Sequence, residues 1–579
     1  MPFIKHAFPL KTASPLLMAA LVVFLLTGPV AGISRVQAAD HIKIGLLEEP
    51  KTLNYWLGSD TWSKKVLDLI YYPLYIHEPE KLELTPWLAE SAPVFDEETL
   101  SYTVKLREAK WSDGTPFTAE DVAFTVNSIK GFKDSRRYDR WRFVKEVEVV
   151  DDRTVRFHLE RPMAVFLKRS LTTRIIQKKQ WLPIVEEAGK TDNPLAALRN
   201  HQIREPVGTG PFVLKEWKRG AYVFMETNEH FFGKGLEIAG RKLGPYIDGI
   251  IFRVFGTSDA AIMAINKGDI DMFWWRIQPG YIEELEGEAK IKLYTSERSA
   301  LYYLGFNVRK APFDNPAFRR AVSYLIDRNF LMLRVLQGYG TMMTSIVPPG
   351  NICWHCPDVP EYADKVLLRG ERIRKAYEIL KEAGFSWNTP PVNEKGELVK
   401  AKGFRLPDGS PMQDFYILTP PADYDPARSM AGIMIQEWLR EVGLPASARP
   451  MAFGSLLDQV KGRHDFDMFV LGYGSLSLDP DYLRMFFHSE NDKSGGWNMS
   501  GYSNPRYDEL ADESARTMDQ DERRKLIYEM QRIIMQDVPY IPLYNPHLIE
   551  AVRTDRFEGW VPMLEGIGNT WSFCTLKPK

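Results

Sequence analysis

Residues 111–125, Trp111-Ser112-Asp113-Gly114-Thr115-Pro116-Phe117-Thr118-Ala119-Glu120-Asp121-Val122-Ala123-Phe124-Thr125, read as a joint between a strand and a helix. Just upstream, Leu100, Tyr102, Val104 and Leu106 alternate with polar residues, the period of a strand with one face buried. Asp113-Gly114 reverses the chain. Thr118 then stands where a helix needs its cap, and Asp121 three residues on can reach back to the open amide. Glu120 and Asp121 also put two carboxylates in the first turn, where the helix dipole favours them. Val122, Thr125, Val126 and Ile129 share one face of the helix that follows. The joint fixes local geometry and by itself predicts no chemistry.

Working outward, Val147 and Val149, the turn Asp151-Asp152-Arg153, then Val155, Phe157 and Leu159 form a hairpin, so residues 77–203 hold their own small α/β unit. On the amino side a strand at 41–47 leads into a Pro- and Asn-rich turn. Tyr55, Trp56 and Trp62 then flank Gly58-Ser59-Asp60 before a helix at 63–71 with Val66, Leu67 and Ile70 as its apolar face. Trp62 is expected in the core, Tyr55 and Trp56 at an exposed aromatic cluster. On the carboxyl side, Gly208-Thr209-Gly210-Pro211-Phe212 lacks the third glycine of a phosphate loop, and Pro211 removes an amide such a loop needs, so a tight turn into a strand is expected. A strand at 248–254, a helix at 258–266 and a turn into a strand at 267–272 make a β-α-β unit. Its exit carries Phe273-Trp274-Trp275-Arg276, at the carboxyl end of a strand, where open α/β sheets bind ligands.

The second half alternates in the same way: helices at 317–325, 372–383, 430–442 and 521–536, strands at 415–418, 466–471 and 540–544, and a polar break at 420–425. That is a second α/β lobe.

The 579 residues exceed what one core holds, and 44% hydrophobic with 26% charged residues is ordinary for a soluble globular protein. A net charge of -2, with no basic tract and no low-complexity run, points away from nucleic acid. At the amino end Lys5 and Lys11 precede an apolar run at 16–26, and Val36-Gln37-Ala38 supplies small residues for cleavage. Residues 1–38 therefore read as a secretory signal peptide. The run is too short to span a bilayer, which takes about 20 residues. No cysteine precedes Cys353, so a lipid-modified cysteine is not expected and the product is a soluble periplasmic protein.

An enzyme is disfavoured: no G-x-S-x-G elbow, H-E-x-x-H helix, P-loop or G-x-G-x-x-G occurs, and the ten histidines have no metal-binding spacing. No cofactor and no metal are expected. Cys353-Trp354-His355-Cys356 lacks the second pair a zinc site would want. In an oxidising compartment a local disulfide between Cys353 and Cys356 is expected, leaving Cys574 as a thiol.

Six blocks in order, W-S-D-G-T-P-F-T-A-E-D-V at 111–122, G-T-G-P-F at 208–212, K-G-D-I-D at 267–271, F-N at 306–307, P-F-D-N-P-A-F-R-R-A-V-S-Y-L-I-D-R at 312–328 and I-P-L-Y at 541–544, resemble the family 5 bacterial extracellular solute-binding proteins, the dipeptide and oligopeptide receptors of ABC importers. The resemblance covers essentially all of the chain after the leader. It implies an α/β, two-lobed periplasmic-binding-protein fold (type II, large variant) that closes on its ligand, with an inserted α/β subdomain in lobe one. Lobe one is expected at 40–76, 204–305 and 545–579, its inserted subdomain at 77–203 and lobe two at 306–544, with crossings near Phe306 and Tyr544. It also implies a monomer that hands a small-molecule ligand to a membrane permease and its ATPase. In peptide-binding relatives an aspartate four residues before a proline receives the peptide ammonium group. Here the proline is Pro480 and the residue is Leu476, which leaves Asp479 as the substitute. The candidate ligand set is Tyr55, Trp56, Trp274, Trp275, Tyr424 and Tyr473 as rings, with Asp60, Arg276, Asp425 and Asp479 as charges. Paired charges would serve a peptide, and flat rings would serve the alternative, an oligosaccharide.

Overall fold

The Asp121 carboxylate ties three segments together. It accepts from the Trp111 indole at 3.0 Å and from the Thr118 amide at 3.0 Å, while its other oxygen accepts from the Lys178 amide at 2.8 Å, at the start of the helix Lys178–Gly189. The helix after the joint runs Ala119–Gly131 and buries Val122, Thr125, Val126 and Ile129, the face the periodicity predicts. The computed structural model describes residues 40–58, 60–133, 137–360 and 367–579, so the predicted leader at 1–38 lies outside the described residues.

Three main sheets organise the described residues. The first runs in the order Ile291–Ser296, Leu548–Arg553, Met272–Phe273, His41–Leu46, Gly249–Val254, Tyr222–Thr227, Phe212–Lys218. His41–Leu46 lies parallel to both of its neighbours, as β-α-β connections require. The second runs Gly340–Met342, Tyr540–Pro546, Leu301–Phe306, Met468–Tyr473, Phe415–Thr419, Ala446–Pro450. The third, Val94–Asp96, Ser101–Lys105, Thr154–Leu159 and Val144–Asp151, belongs to the inserted unit and contains the predicted hairpin. Gly208 and Gly210 are explained by close approach. A Cβ on either would fall 1.9 or 2.1 Å from a carbonyl of Ile70 or Leu69 at the end of the helix Thr61–Ile70, and the Gly210 amide donates to Ile70 at 2.8 Å.

The chain passes from the first sheet to the second at 297–300 and returns at His547, a few residues from the expected crossings. Phe306 ends a strand paired on both sides, and Tyr544 lies inside a fully buried strand, stacked on Tyr302 with ring centres 5.2 Å apart. An extended segment looks the same in sequence whether it pairs or crosses. The first crossing is bonded to the strand that precedes the second, the Asn545 side-chain amide donating to the Arg298 carbonyl at 2.6 Å. The inserted unit reaches the second-sheet part through the ion pair Arg169–Asp481 at 2.6 Å and the Ala164 amide on the Ala515 carbonyl at 3.0 Å.

Because Asp121 satisfies one buried and two part-buried donors at once, Asp121→Ala should cost about 2–3 kcal/mol of stability in urea unfolding. Asp121→Asn, which keeps one acceptor, should recover part of it.

Candidate functional site

The helix Thr61–Ile70 is capped by Asp60, whose carboxylate accepts from the Ser63 amide at 2.9 Å, and it turns Trp62, Val66, Leu67, Leu69 and Ile70 into the core. Lys64, Lys65 and Asp68 are thereby left on the opposite face, where they line a cavity of about 530 Å³. Trp274 enters from the exit of the strand Met272–Phe273, Arg298 from the first crossing, Glu565 and Trp571 from the carboxyl-terminal segment, and Ser475 and Leu478 from the loop after Met468–Tyr473. The cavity thus takes side chains from both sheets' units.

Its electrostatics are set by burial. The Lys65 ammonium sits 3.7 Å from the centre of the Trp274 ring, and no carboxylate or carbonyl accepts from it among the described residues. Burial pushes Lys65 down to about 7. Burial likewise pushes the nearby Glu550 carboxyl up to about 7, against the pull of Lys65 and of the Ile567 amide that donates to it at 2.7 Å. Arg298 donates to the Gly474 carbonyl at 2.5 Å and faces Glu565 at 3.4 Å, while Glu565 accepts from the Ser299 amide at 2.7 Å. Glu565 does this with a φ of 71°, a left-handed conformation costly for a side-chain-bearing residue. Gly568 packs so closely on Trp274 that a Cβ would lie 1.8 Å from its indole nitrogen.

A second cavity of about 500 Å³ shares Lys64, Asp68, Ile76, His77 and Thr570 with the first, and its far wall carries Tyr55, Arg137, Arg140 and Arg174. Arg174 pairs with Asp68, Nε to carboxylate at 2.6 Å.

Of the ten candidate residues, Trp274 lines the first cavity and Tyr55 the second. Tyr55 is not the exposed ring expected: it is buried, edge-on to Trp56, and its hydroxyl donates to the Arg174 carbonyl at 3.1 Å. Trp56 is core, packed against Phe132 and Trp181. Asp60 is spent as a cap, and Trp275 lies against Trp62 with ring centres 4.9 Å apart. Arg276 is half-buried and lines neither cavity. Tyr424 is exposed and stacks on Phe453, while Asp425 caps Pro426–Glu441 and pairs with Arg428 at 2.8 Å. Tyr473 is sandwiched between Tyr303 and Phe486. Asp479 is 1% exposed and held bidentately by Arg523 at 2.6 and 2.8 Å. The expected disulfide is absent too: Cys353 and Cys356 are thiols, their sulfurs directed to different carbonyls, Lys81 at 3.1 Å and Asp358 at 3.4 Å.

Lys65, Arg298, Glu550 and Glu565 were not among the candidates. Glu550 had a signal, a lone carboxylate inside the apolar strand Leu548–Arg553, and Lys65 had the polar face of an amphipathic helix. Arg298 and Glu565 had none.

Residues 83–494 match the family described as Bacterial extracellular solute-binding proteins, family 5 Middle, and the chain belongs to that family. It is 28% identical over 535 residues to the oligopeptide-binding protein AppA of Bacillus subtilis (strain 168), covering 90% of this chain and 89% of that protein. It is 27% identical over 534 residues to the glutathione-binding protein GsiB of Escherichia coli (strain K12), covering 90% and 92%. Among solved structures, that of Bacillus subtilis AppA in complex with a nonapeptide superposes with a TM-score of 0.66 at 26% identity, covering 93% of this chain and 99% of that one. A periplasmic oligopeptide-binding protein of Thermotoga maritima gives 0.74 at 22% identity over 94% and 100%, a likeness of fold. The fold is the two-lobed type II periplasmic-binding-protein fold, with the cavities described above between and beside its lobes.

Asp479 is buried in an ion pair with Arg523. Burial raises its carboxyl, but Arg523 and Lys168 outweigh that and hold it below the usual carboxylate range. Its contribution is therefore present at neutral pH and lost as pH falls through that depressed value. Asp479→Ala should cost about 3–5 kcal/mol in urea unfolding at pH 7, because Arg523 is left buried without its counter-charge. The folded protein should keep its ligand affinity. Replacing Asp479 and Arg523 together by Leu and Met should recover most of the loss.

Proposed function

We propose that this protein captures a peptide between its two lobes and delivers it to a membrane permease and its ATPase, binding without turnover. In this reading it is exported through a cleaved leader and works in the periplasm as a monomer. The observation that carries the peptide reading over the oligosaccharide is the Lys65 ammonium lying on the face of Trp274. That face is not open to stack on a sugar, and the other rings expected to do so, Tyr55, Trp56, Trp275, Tyr424 and Tyr473, each pack on a neighbouring aromatic. What the cavity offers instead is opposite charge: Lys65 and Arg298 for a carboxylate, Glu565 for an ammonium group. Such a set suits a zwitterion, since a buried charge needs a partner. The nonapeptide bound by Bacillus subtilis AppA and the glutathione in the name of GsiB support the same class of ligand.

Calorimetric titration with tetra-alanine and with maltotetraose separates the two readings. The peptide should give saturable heat and the sugar none. Lys65→Met should weaken peptide binding by about 2–5 kcal/mol. Binding of the sugar alone would overturn the proposal.

A further inference from the structure

The second cavity holds a guanidinium, that of Arg140, which no described residue neutralises. Arg174 is matched by Asp68, and Arg169, close behind, by Asp481 at 2.6 Å. Arg137 donates to the Tyr55 carbonyl at 2.7 Å and lies over the Tyr55 ring, 4.2 Å from its centre. Arg140 stands apart from these. It lines the cavity, yet among the described residues no carboxylate and no hydrogen-bond acceptor meets its guanidinium. Its backbone is not free to swing away. Ser170 donates to the Arg140 carbonyl at 2.5 Å, and the next residue, Trp141, is fully buried with its indole on the Thr173 hydroxyl at 3.2 Å. Burial, followed by the neighbouring cations Arg169 and Arg137, pulls Arg140 down to about 10, the response of a cation in a place that lacks an anion.

Holding like charges together in a partly enclosed space is unfavourable unless an opposite charge enters. A guanidinium offers paired N–H donors that match a carboxylate or a phosphate bidentately. We propose that the second cavity is an oxyanion subsite of the peptide-binding site, so that the preferred ligand carries an acidic group in addition to its terminal carboxylate. This rests on the peptide reading. The two cavities share a wall, and an extended chain advances about 3.3–3.6 Å per residue, so a peptide held in the first reaches the second within a few residues.

The test uses full-length processed protein and an equimolar pool of alanine tetrapeptides in which glutamate, phosphoserine, glutamine or lysine stands at each position in turn, read by native mass spectrometry of the complexes. In at least one register the wild type should favour an acidic peptide over its glutamine counterpart by about tenfold or more, the yield of a charge-assisted hydrogen bond. Preference for glutamate assigns the subsite to carboxylates, and preference for phosphoserine assigns it to phosphate. Arg140→Gln should remove the preference while still binding the glutamine peptides, and Arg140→Lys should keep part of it. Equal binding of acidic and glutamine peptides by the wild type overturns the subsite and leaves the peptide reading standing, whatever the variants do. A preference that survives in Arg140→Gln also overturns it. Binding of none of the peptides overturns the peptide reading and the subsite with it.

Discussion

Arg298 is the residue on which the two halves of the molecule meet. Its carbonyl receives the bond from Asn545 that ties the outgoing crossing to the strand before the returning one. Its guanidinium donates to Gly474, in the loop that leaves the second sheet, and faces Glu565, in the carboxyl-terminal segment beside the first. A single residue therefore touches the connection between the sheets, the cavity and both sheets' units. Both connections between the two sheets thus run side by side.

Closure changes what the cavity charges are worth. Two unit charges 4 Å apart interact by about 1 kcal/mol in water and about 4 kcal/mol at the effective dielectric of a protein surface region. Ser475 and Leu478 line the same cavity as Lys65, Arg298 and Glu565, so those charges act in a partly enclosed space. The pair Asp479–Arg523 shows the opposite use of charge: both groups are almost completely buried, satisfy each other, and have nothing left for a ligand. An aspartate beside a proline can serve either role, and only its partner decides which. Here the partner is a helix residue 44 positions away.

The fold was legible in the sequence because its signals are local. The cap at Thr118–Asp121, the hairpin around Asp151-Asp152-Arg153 and the alternation of strands and helices depend on residues a few positions apart. The site was less legible because its residues are brought together across the chain: Lys65, Trp274, Arg298, Ser475 and Glu565 share no local pattern. Ring-rich stretches misled for a related reason. Trp56 and Tyr473 look like ligand platforms by type, but in a chain with 12% aromatics rings pack on one another. Trp274 is the exception that periodicity could find, since it stands at the carboxyl end of a strand.

If a peptide engages Arg298, Lys65 and Glu565 together, its binding must favour the closed arrangement by its differential affinity for the two states. Small-angle X-ray scattering of the processed protein, with and without saturating tetra-alanine, measures this directly. The radius of gyration should fall on binding, while Arg298→Ala should blunt the fall. An unchanged radius at saturation verified by calorimetry would contradict the account.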